Sequence, residues 1–188
     1  MAKRKNLLEK VEAQFVKEGN RQCQILLSAA ALALYRHWGW KKDRITKALQ
    51  VAEDAWVECS QDMGLSMIAM CEKETGIEVQ CGDGKSWREL GYLNGHWPET
   101  MNDAKWIYMR QRQRRWIAPQ ITASILIALH RREGFGYDRC ARVYQQIDDI
   151  RTEYGLDPKK IREACLKETL VNVHDMINGK PDKDQNLK

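Results

Sequence analysis

The sequence predicts a mainly all-α fold in which two copies of a three-helix module, residues 21–75 and 119–177, are joined by a short hairpin or loop and a basic helix. Three observations support this fold class. One stretch of the chain repeats later in the sequence. Each copy carries the start and stop signals of three helices. Outside Ile77–Cys81, no segment alternates apolar and polar residues as a half-buried strand does.

The repeat is clearest around a glycine that follows an apolar stretch. Residues 33–44 align with residues 128–139, with Ala, Leu, Arg, Gly, Asp and Arg at matching positions and an aromatic residue after each Gly. After a short gap and a compensating insertion, Cys71–Thr75 aligns with Cys165–Thr169. Because the matches keep their order along the chain, we interpret them as an internal duplication.

The first half of the chain begins with an N-terminal helix within residues 1–20. The first helix of module 1 then runs from about Arg21 to Trp38 and ends at Gly39, since glycine takes the left-handed conformation of a helix C-terminus without a Cβ clash. The second helix is expected to begin near Asp43, whose carboxylate favours a helix N-terminus. The third begins at Ser66, an N-capping residue.

Module 2 carries the same signals. Its first helix is expected from Pro119, which a helix tolerates in its first turn, to Glu133, just before Gly134. The second helix begins near Asp138. The third begins at Asp157, again an N-capping residue.

The segments outside the modules differ in character. Residues 76–100 are rich in Gly and Trp, and because flexible linkers lack aromatic residues, we expect a packed loop or a short β-hairpin there. Residues 101–118 are expected to form a basic aromatic helix. Residues 178–188 are polar and are expected to form a disordered tail.

The basic helix holds most of the net charge of the chain. Between Met101 and Pro119 five basic residues stand against one acid, whereas the whole chain has a formal net charge of +5. Most of these bases are arginines, whose planar guanidinium binds phosphate in bidentate fashion and stacks on bases. The segment therefore predicts a surface for RNA, DNA or an acidic protein patch, formed by Lys105, Trp106, Tyr108, Arg110, Arg112, Arg114 and Arg115. The alternative is that this helix neutralises acidic faces of the same molecule.

Each module also has a basic turn after its first helix. The cations of the two turns are Lys41, Lys42, Arg44, Arg131, Arg132 and Arg139. A helix, a Gly-containing turn and a second helix with Arg near its start match the outline of a helix-turn-helix reader of DNA. We favour a structural interpretation, in which Asp43 and Asp138 begin helices while Arg44 and Arg139 brace the turns.

No catalytic or metal-binding pattern stands out. The six cysteines are scattered without a C-x-x-C pair, which predicts reduced and mostly buried thiols. The loose cluster of Cys71, Cys81 and His96 matches no common zinc spacing. The tripeptide at residues 84–86 lacks the upstream glycine of a phosphate-binding loop, because Val79 stands there. We therefore expect a protein that is not an enzyme, with no catalytic residues, metal or cofactor.

Composition and segment lengths bear on where the protein works. An apolar fraction of 43% is that of a folded globular chain. The longest nearly apolar run, Ile25–Tyr35, is far shorter than the ~20 residues of a membrane span. The basic N-terminus lacks the apolar core of a secretory signal. We expect a cytoplasmic protein without membrane contact.

The turn sequences Gly39–Arg44 and Gly134–Arg139 each follow an apolar helix and share the pattern R-x-x-G-aromatic-G/K-x-x-R. This pattern resembles small all-helical proteins that phages and mobile elements of Gram-positive gut bacteria encode, a group associated with anti-CRISPR proteins. The resemblance covers the first two helices of each module, and module 1 departs from it at Lys41, where the second Gly would stand. It implies action inside a bacterial host cell and assigns no catalytic residue.

The leading hypothesis is a non-enzymatic binding protein whose basic face engages a nucleic acid or a host nucleoprotein. Its most concrete version is an inhibitor of an RNA-guided CRISPR nuclease, with the nuclease and its guide RNA as the partner. The alternative is a DNA- or RNA-binding accessory protein of replication or transcription. A third option is a structural or oligomerising helical protein. The sequence leaves the oligomeric state open.

Overall fold

A computed structural model of the chain describes residues 2–58, 65–80 and 114–178. These residues form seven α-helices and no β-strand, which confirms the all-α prediction. The helices are α1 (Ala2–Trp38), α2 (Lys42–Glu58), α3 (Leu65–Thr75), α4 (Ile117–Glu133), α5 (Tyr137–Glu153), α6 (Pro158–Thr169) and α7 (Val173–Asn178). None of these helices is long and apolar enough to cross a membrane.

The N-terminal helix and the first helix of module 1 are one continuous helix, so the predicted break near residue 20 is wrong. Side chains on both sides of that point are joined: Gln22 donates to Glu18 at 2.7 Å, and Arg21 lies 3.3 Å from the same carboxylate. Such i,i+3 and i,i+4 contacts support a helix across residues of low helix propensity. The C-terminal half of α1 is buried in the core.

The first helix of each module ends where the sequence predicted. Gly39 and Gly134 have φ angles of +66° and +62°. After Gly39, the N–H of Trp40 donates to the carbonyl of Leu34 six residues earlier, at 3.1 Å. Phe135 makes the same backbone bond after Gly134, at 3.3 Å. Each glycine also donates its own N–H to the carbonyl four residues earlier, Gly39 to Tyr35 at 3.1 Å and Gly134 to His130 at 3.0 Å. This is the αL pattern, in which a left-handed residue lets the chain satisfy the last carbonyls of the helix.

The third helices end in matching ways. The predicted start of α3 at Ser66 is wrong by one residue, because the helix already includes Leu65. Asp157 caps α6 and accepts the N–H groups of the two residues after Pro158, which confirms the predicted start. At the end of α3, the Thr75 hydroxyl donates to the carbonyl of Cys71 at 2.7 Å and accepts the N–H of Ile77 at 3.2 Å. At the end of α6, Thr169 makes the same two bonds to the residues four before and two after it, at 2.7 and 3.1 Å.

The helices pack in an exchanged arrangement. The first helix of module 1, within α1, packs mainly on α5 and α6, the second and third helices of module 2. The first helix of module 2, α4, packs mainly on α2 and α3, the second and third helices of module 1. In each module the first and second helices make much less contact with each other, and α1 and α4 also pack together. The two modules therefore share one core.

Matching ion pairs join the modules. Arg36 on α1 binds Glu168 on α6 in bidentate fashion, with N–O distances of 2.8 and 2.7 Å. Arg131 on α4 binds Glu74 on α3 in the same way, at 3.0 and 2.8 Å. Arg36 aligns with Arg131 and Glu74 with Glu168 in the predicted duplication. The duplication itself stays a prediction from the sequence, but aligned positions make matching contacts.

The connector is described only at its start. Residues 76–80 form no strand. The alternation of apolar and polar residues that suggested a hairpin therefore has another cause in this segment. Ile77 and Val79 are buried in the core while Gln80 is exposed, and a non-helical chain that packs one side on a core shows the same pattern. The rest of the predicted connector, most of the predicted basic helix and residues 179–188 lie outside the described residues.

Candidate nucleic-acid interface

The structure describes part of the predicted binding surface. Eight of the predicted cations are described, and all are exposed: Lys41, Lys42, Arg44, Arg114, Arg115, Arg131, Arg132 and Arg139. The others lie outside the described residues: Lys105, Trp106, Tyr108, Arg110 and Arg112.

The two basic turns meet through an aromatic cluster. The ring centroids of Trp38 and Phe135 are 4.8 Å apart, and those of Trp40 and Phe135 are 5.8 Å apart in an edge-on arrangement. Trp40 and Phe135 are the aromatic residues that follow the helix-ending glycines. Because both are buried, the rings anchor the turns to each other.

The turn arginines are held by partners within the molecule. The Arg44 guanidinium lies 4.0 Å from the centroid of Trp40 and donates to Glu133 at the end of α4. The Arg139 guanidinium lies 4.8 Å from the centroid of Phe135 and donates to the carbonyl of Gly134. This geometry favours the structural interpretation of both arginines. The partner of Arg44 belongs to the turn of the other module.

The remaining turn cations are engaged to different extents. Arg131 binds Glu74, as described above, and Arg132 lies 3.4 Å from Glu133. Lys41 sits 5.8 Å from the ring centroid of Tyr35. The turns thus use much of their positive charge to stabilise the fold.

Arg114 and Arg115 are in a different situation. They lie in the turn at residues 114–116 that precedes α4, and both are exposed. The prediction that the basic helix continues to residue 118 is therefore wrong at its described end, where this turn stands before α4. Within the described part of the chain, no carboxylate lies within ion-pair distance of either guanidinium. Arg114 also borders a shallow groove along α1 that Glu9 and Glu18 help to line. These two arginines are the end of the Arg-rich segment that the sequence predicted to bind a partner.

A cavity of about 640 Å³ opens beside them. It lies between the middle of α1, residues 79–80, the start of α4 and one face of α5. Its lining residues are Gln22, Val79, Gln80, Arg114, Arg115, Ala118, Pro119, Thr122, Tyr144, Gln145, Asp148 and Arg151.

The electrostatics of this cavity favour an anion. Among its described lining residues, three side chains are arginines and the one carboxylate is Asp148, whose Oδ1 lies 3.2 Å from Nη1 of Arg151. The N-terminus of α4 adds positive potential, because Trp116 gives it no side-chain cap and Ala118 lines the cavity. Tyr144 contributes a hydroxyl that accepts the N–H of Gln80 at 3.3 Å.

Arg151, Tyr144 and Gln22 belong to this site but were not predicted from the sequence. Tyr144, Asp148 and Arg151 are spaced i, i+4 and i+7 on α5, which places them on one helix face. That spacing was a signal in the sequence. The sequence did not show that Gln22 of α1 lies against this face, because that contact depends on the exchanged packing.

The described cysteines are free thiols, as the sequence predicted. Burial raises the pKa of Cys71 to about 12 and that of Cys140 to about 11, so both thiols stay protonated at neutral pH. Within the described residues, no group of His, Cys, Asp and Glu is arranged to hold a metal ion. Cys81 and His96 of the loose sequence cluster lie outside those residues.

Comparison of the chain with known protein families, with curated proteins and with solved structures finds no match.

Proposed function

We propose that this chain is a non-enzymatic binding protein that engages nucleic acid, free or within a host nucleoprotein, through the surface around Arg114 and Arg115. The observation that carries the proposal is the contrast between two sets of arginines. Those of the turns bind carboxylates, carbonyls or rings of the same molecule. Arg114 and Arg115 are exposed beside a cavity that a third arginine lines.

Phosphate is the ligand that this arrangement suits. A guanidinium presents several N–H donors in one plane and binds two oxygens of a phosphate at once. The N-terminus of α4, which the side chain of Trp116 does not cap, attracts the same charge. In the sequence, Arg110 and Arg112 stand directly before this pair, so the segment offers a run of cations to a phosphate backbone.

The first experiment measures direct binding. Labelled single-stranded RNA and duplex DNA of equal length are titrated with the protein over a range of salt concentrations. We expect the double variant R114A/R115A to bind more weakly than the wild type. Its slope of log affinity against log salt should become less steep by about 0.9 for each arginine that contacts a duplex phosphate.

The matched control is K159A/K160A, which removes two adjacent exposed cations from α6, outside the cavity. Its salt slope should stay close to that of the wild type. Absence of binding even at low salt would contradict the proposal. Equal losses in the two double variants would contradict the assignment to Arg114 and Arg115.

The most concrete version of the proposal is an inhibitor of an RNA-guided CRISPR nuclease, which the resemblance of the turn motif to phage and mobile-element proteins suggests. Its test is to mix the purified protein with such a nuclease and its guide RNA and to measure target cleavage and co-elution. Full cleavage without a complex would contradict this version. Binding to free nucleic acid with no effect on the nuclease would instead support the alternative, an accessory protein of replication or transcription.

A further inference from the structure

The cavity beside Arg114 and Arg115 has the size of a small-molecule site. Its volume of about 640 Å³ falls within the range of roughly 300–1,000 Å³ that is common for ligand pockets. A flat phosphate-binding surface needs no such depth. The cavity therefore has room for an occupant larger than a phosphate group alone.

Its described lining combines cationic and amide side chains. Arg114 and Arg115 lie at the end next to the start of α4, where the helix N-terminus adds positive potential. The side chains of Gln22 and Gln145, from α1 and α5, supply amide groups, whose oxygens accept and whose nitrogens donate hydrogen bonds. The Nε2 of each already donates one bond to a carboxylate on its own helix, Gln22 to Glu18 at 2.7 Å and Gln145 to Asp149 at 2.9 Å. A nucleotide has matching parts, since its phosphate is anionic and its base edge carries donors and acceptors.

Two polar atoms of the lining residues are buried without a hydrogen-bond partner. They are Nε of Arg151 and Oε1 of Gln22. The other ends of these side chains are bound, Arg151 to Asp148 at 3.2 Å and Gln22 to Glu18 at 2.7 Å. A buried polar atom without a partner is unfavourable, and a ligand that draws either side chain into the cavity would satisfy it.

We propose that the cavity binds one nucleotide unit, with its phosphate between Arg114, Arg115 and Arg151 and its base toward Gln22 and Gln145. This inference rests on the proposed function and deepens it. The surface around Arg114 and Arg115 holds the phosphate backbone, and the cavity receives a single nucleotide of the bound strand.

The test uses free nucleoside monophosphates as probes of the full chain. Adenosine and uridine monophosphates are titrated into the protein by calorimetry, with adenosine and inorganic phosphate as separate arms. We expect the monophosphates to bind more tightly than either part alone. R151M should weaken this binding by about tenfold, the loss of one charged hydrogen bond.

The matched control is R142M on the same helix, because Arg142 lies near Trp38, at 6.0 Å from its centroid, and does not line the cavity. Its affinity should match that of the wild type. Q22L provides a second test if R151M unfolds, because a shorter apolar side chain removes the unpartnered oxygen. It also removes one hydrogen bond within α1, to Glu18, and should leave the protein folded while weakening nucleotide binding.

The outcomes separate this inference from the proposed function. If RNA or DNA binds but no monophosphate binds, the cavity proposal is overturned and the function stands. If R151M, Q22L and R142M all bind monophosphates as the wild type does, the cavity proposal is also overturned. If monophosphates bind with the expected losses while no polynucleotide binds, the function fails and the cavity assignment stands.

Discussion

The exposed arginines of the predicted binding surface differ in their partners. Arg44 and Arg131, like Arg36, bind carboxylates that belong to the other half of the chain. Arg114 and Arg115 have no such partner within the described residues. At the residue scale, the first group therefore contributes to stability and the second is available to a ligand.

The pair Arg131–Glu74 gives a pH-dependent prediction. The hydrogen bond from Arg131 holds the pKa of Glu74 below its ordinary value of 4.5. A depressed pKa means that the ionised carboxylate stabilises the folded state above pH 4.5, and that this stabilisation is lost as the pH falls through the folded-state pKa. Because Arg131 and Glu74 are partly exposed, we expect E74Q to lower the free energy of unfolding at pH 7 by only about 0.5 kcal/mol.

Urea unfolding at a series of pH values checks this expectation, and the gap between wild type and E74Q should close toward acidic pH. E168Q should behave alike, since Arg36 lowers the pKa of Glu168 in the same way. The control is E163Q, an exposed position on α6, which should show little difference at any pH. A gap for E74Q that widens as the pH falls would argue against this account of the ion pair.

The candidate site could be predicted from the sequence in part. Arg114 and Arg115 stand out because they belong to a segment with five bases and one acid. Arg151 does not, since Asp148 stands near it on the same helix and a balanced pair of charges looks like ordinary helix surface. Its role follows only from the neighbours that surround it in space.

Helix ends were predictable at the element scale because their signals are local. Gly39, Gly134 and Asp157 each act through backbone geometry within a few residues. The break near residue 20 was wrong for the same reason, since side-chain pairs and core packing carry α1 through a weak point. The short helix α7 was not predicted. It packs on α1, which is far away in the sequence, and on α6, which comes just before it.

Four glycines provide a matched set of substitutions. Gly39 and Gly134 have positive φ, and a Cβ at either would meet no atom within 4 Å, so alanine brings backbone strain without a steric clash. We expect G39A and G134A each to lower the free energy of unfolding by about 1 kcal/mol. Gly19 also has open space around it but lies inside α1. G19A should therefore raise the free energy of unfolding by roughly 0.5–1 kcal/mol. Gly136, with φ of −80°, brings no backbone strain, but it is the N-cap of α5, where alanine is less favourable than glycine, so G136A should lower the free energy of unfolding by about 0.5 kcal/mol.

Denaturant unfolding of the four variants measures these differences. The free energy of unfolding should fall for G39A and G134A and rise for G19A, although all four substitutions add the same methyl group to open space. Equal effects at all positions would show that the helix-end conformation is not the cause.

At the scale of the whole molecule, the exchange of first helices had no signal in the sequence. The repeat predicted two modules, and the simplest expectation was that each module packs on itself. Short turns of similar geometry connect α1 to α2 and α4 to α5, and they fix the ends of these helices without choosing their partners. Partners are chosen by the fit of whole apolar faces, such as the buried stretch of α1 against α5 and α6.

The exchange predicts that neither half of the chain keeps its fold when the other is removed. Without the first half of the chain, α5 and α6 lose α1, which covers their apolar faces. Without the second half, α2 and α3 lose α4, which covers theirs. A protease site inserted between residues 90 and 100 of the full chain allows this to be tested after folding. We expect the two fragments to co-elute after cleavage and to unfold together in one transition. The midpoint of this transition should lie at a denaturant concentration no higher than that of the uncut protein with the same insertion. Fragments that separate on dilution without denaturant, one of them keeping its own unfolding transition, would contradict a shared core.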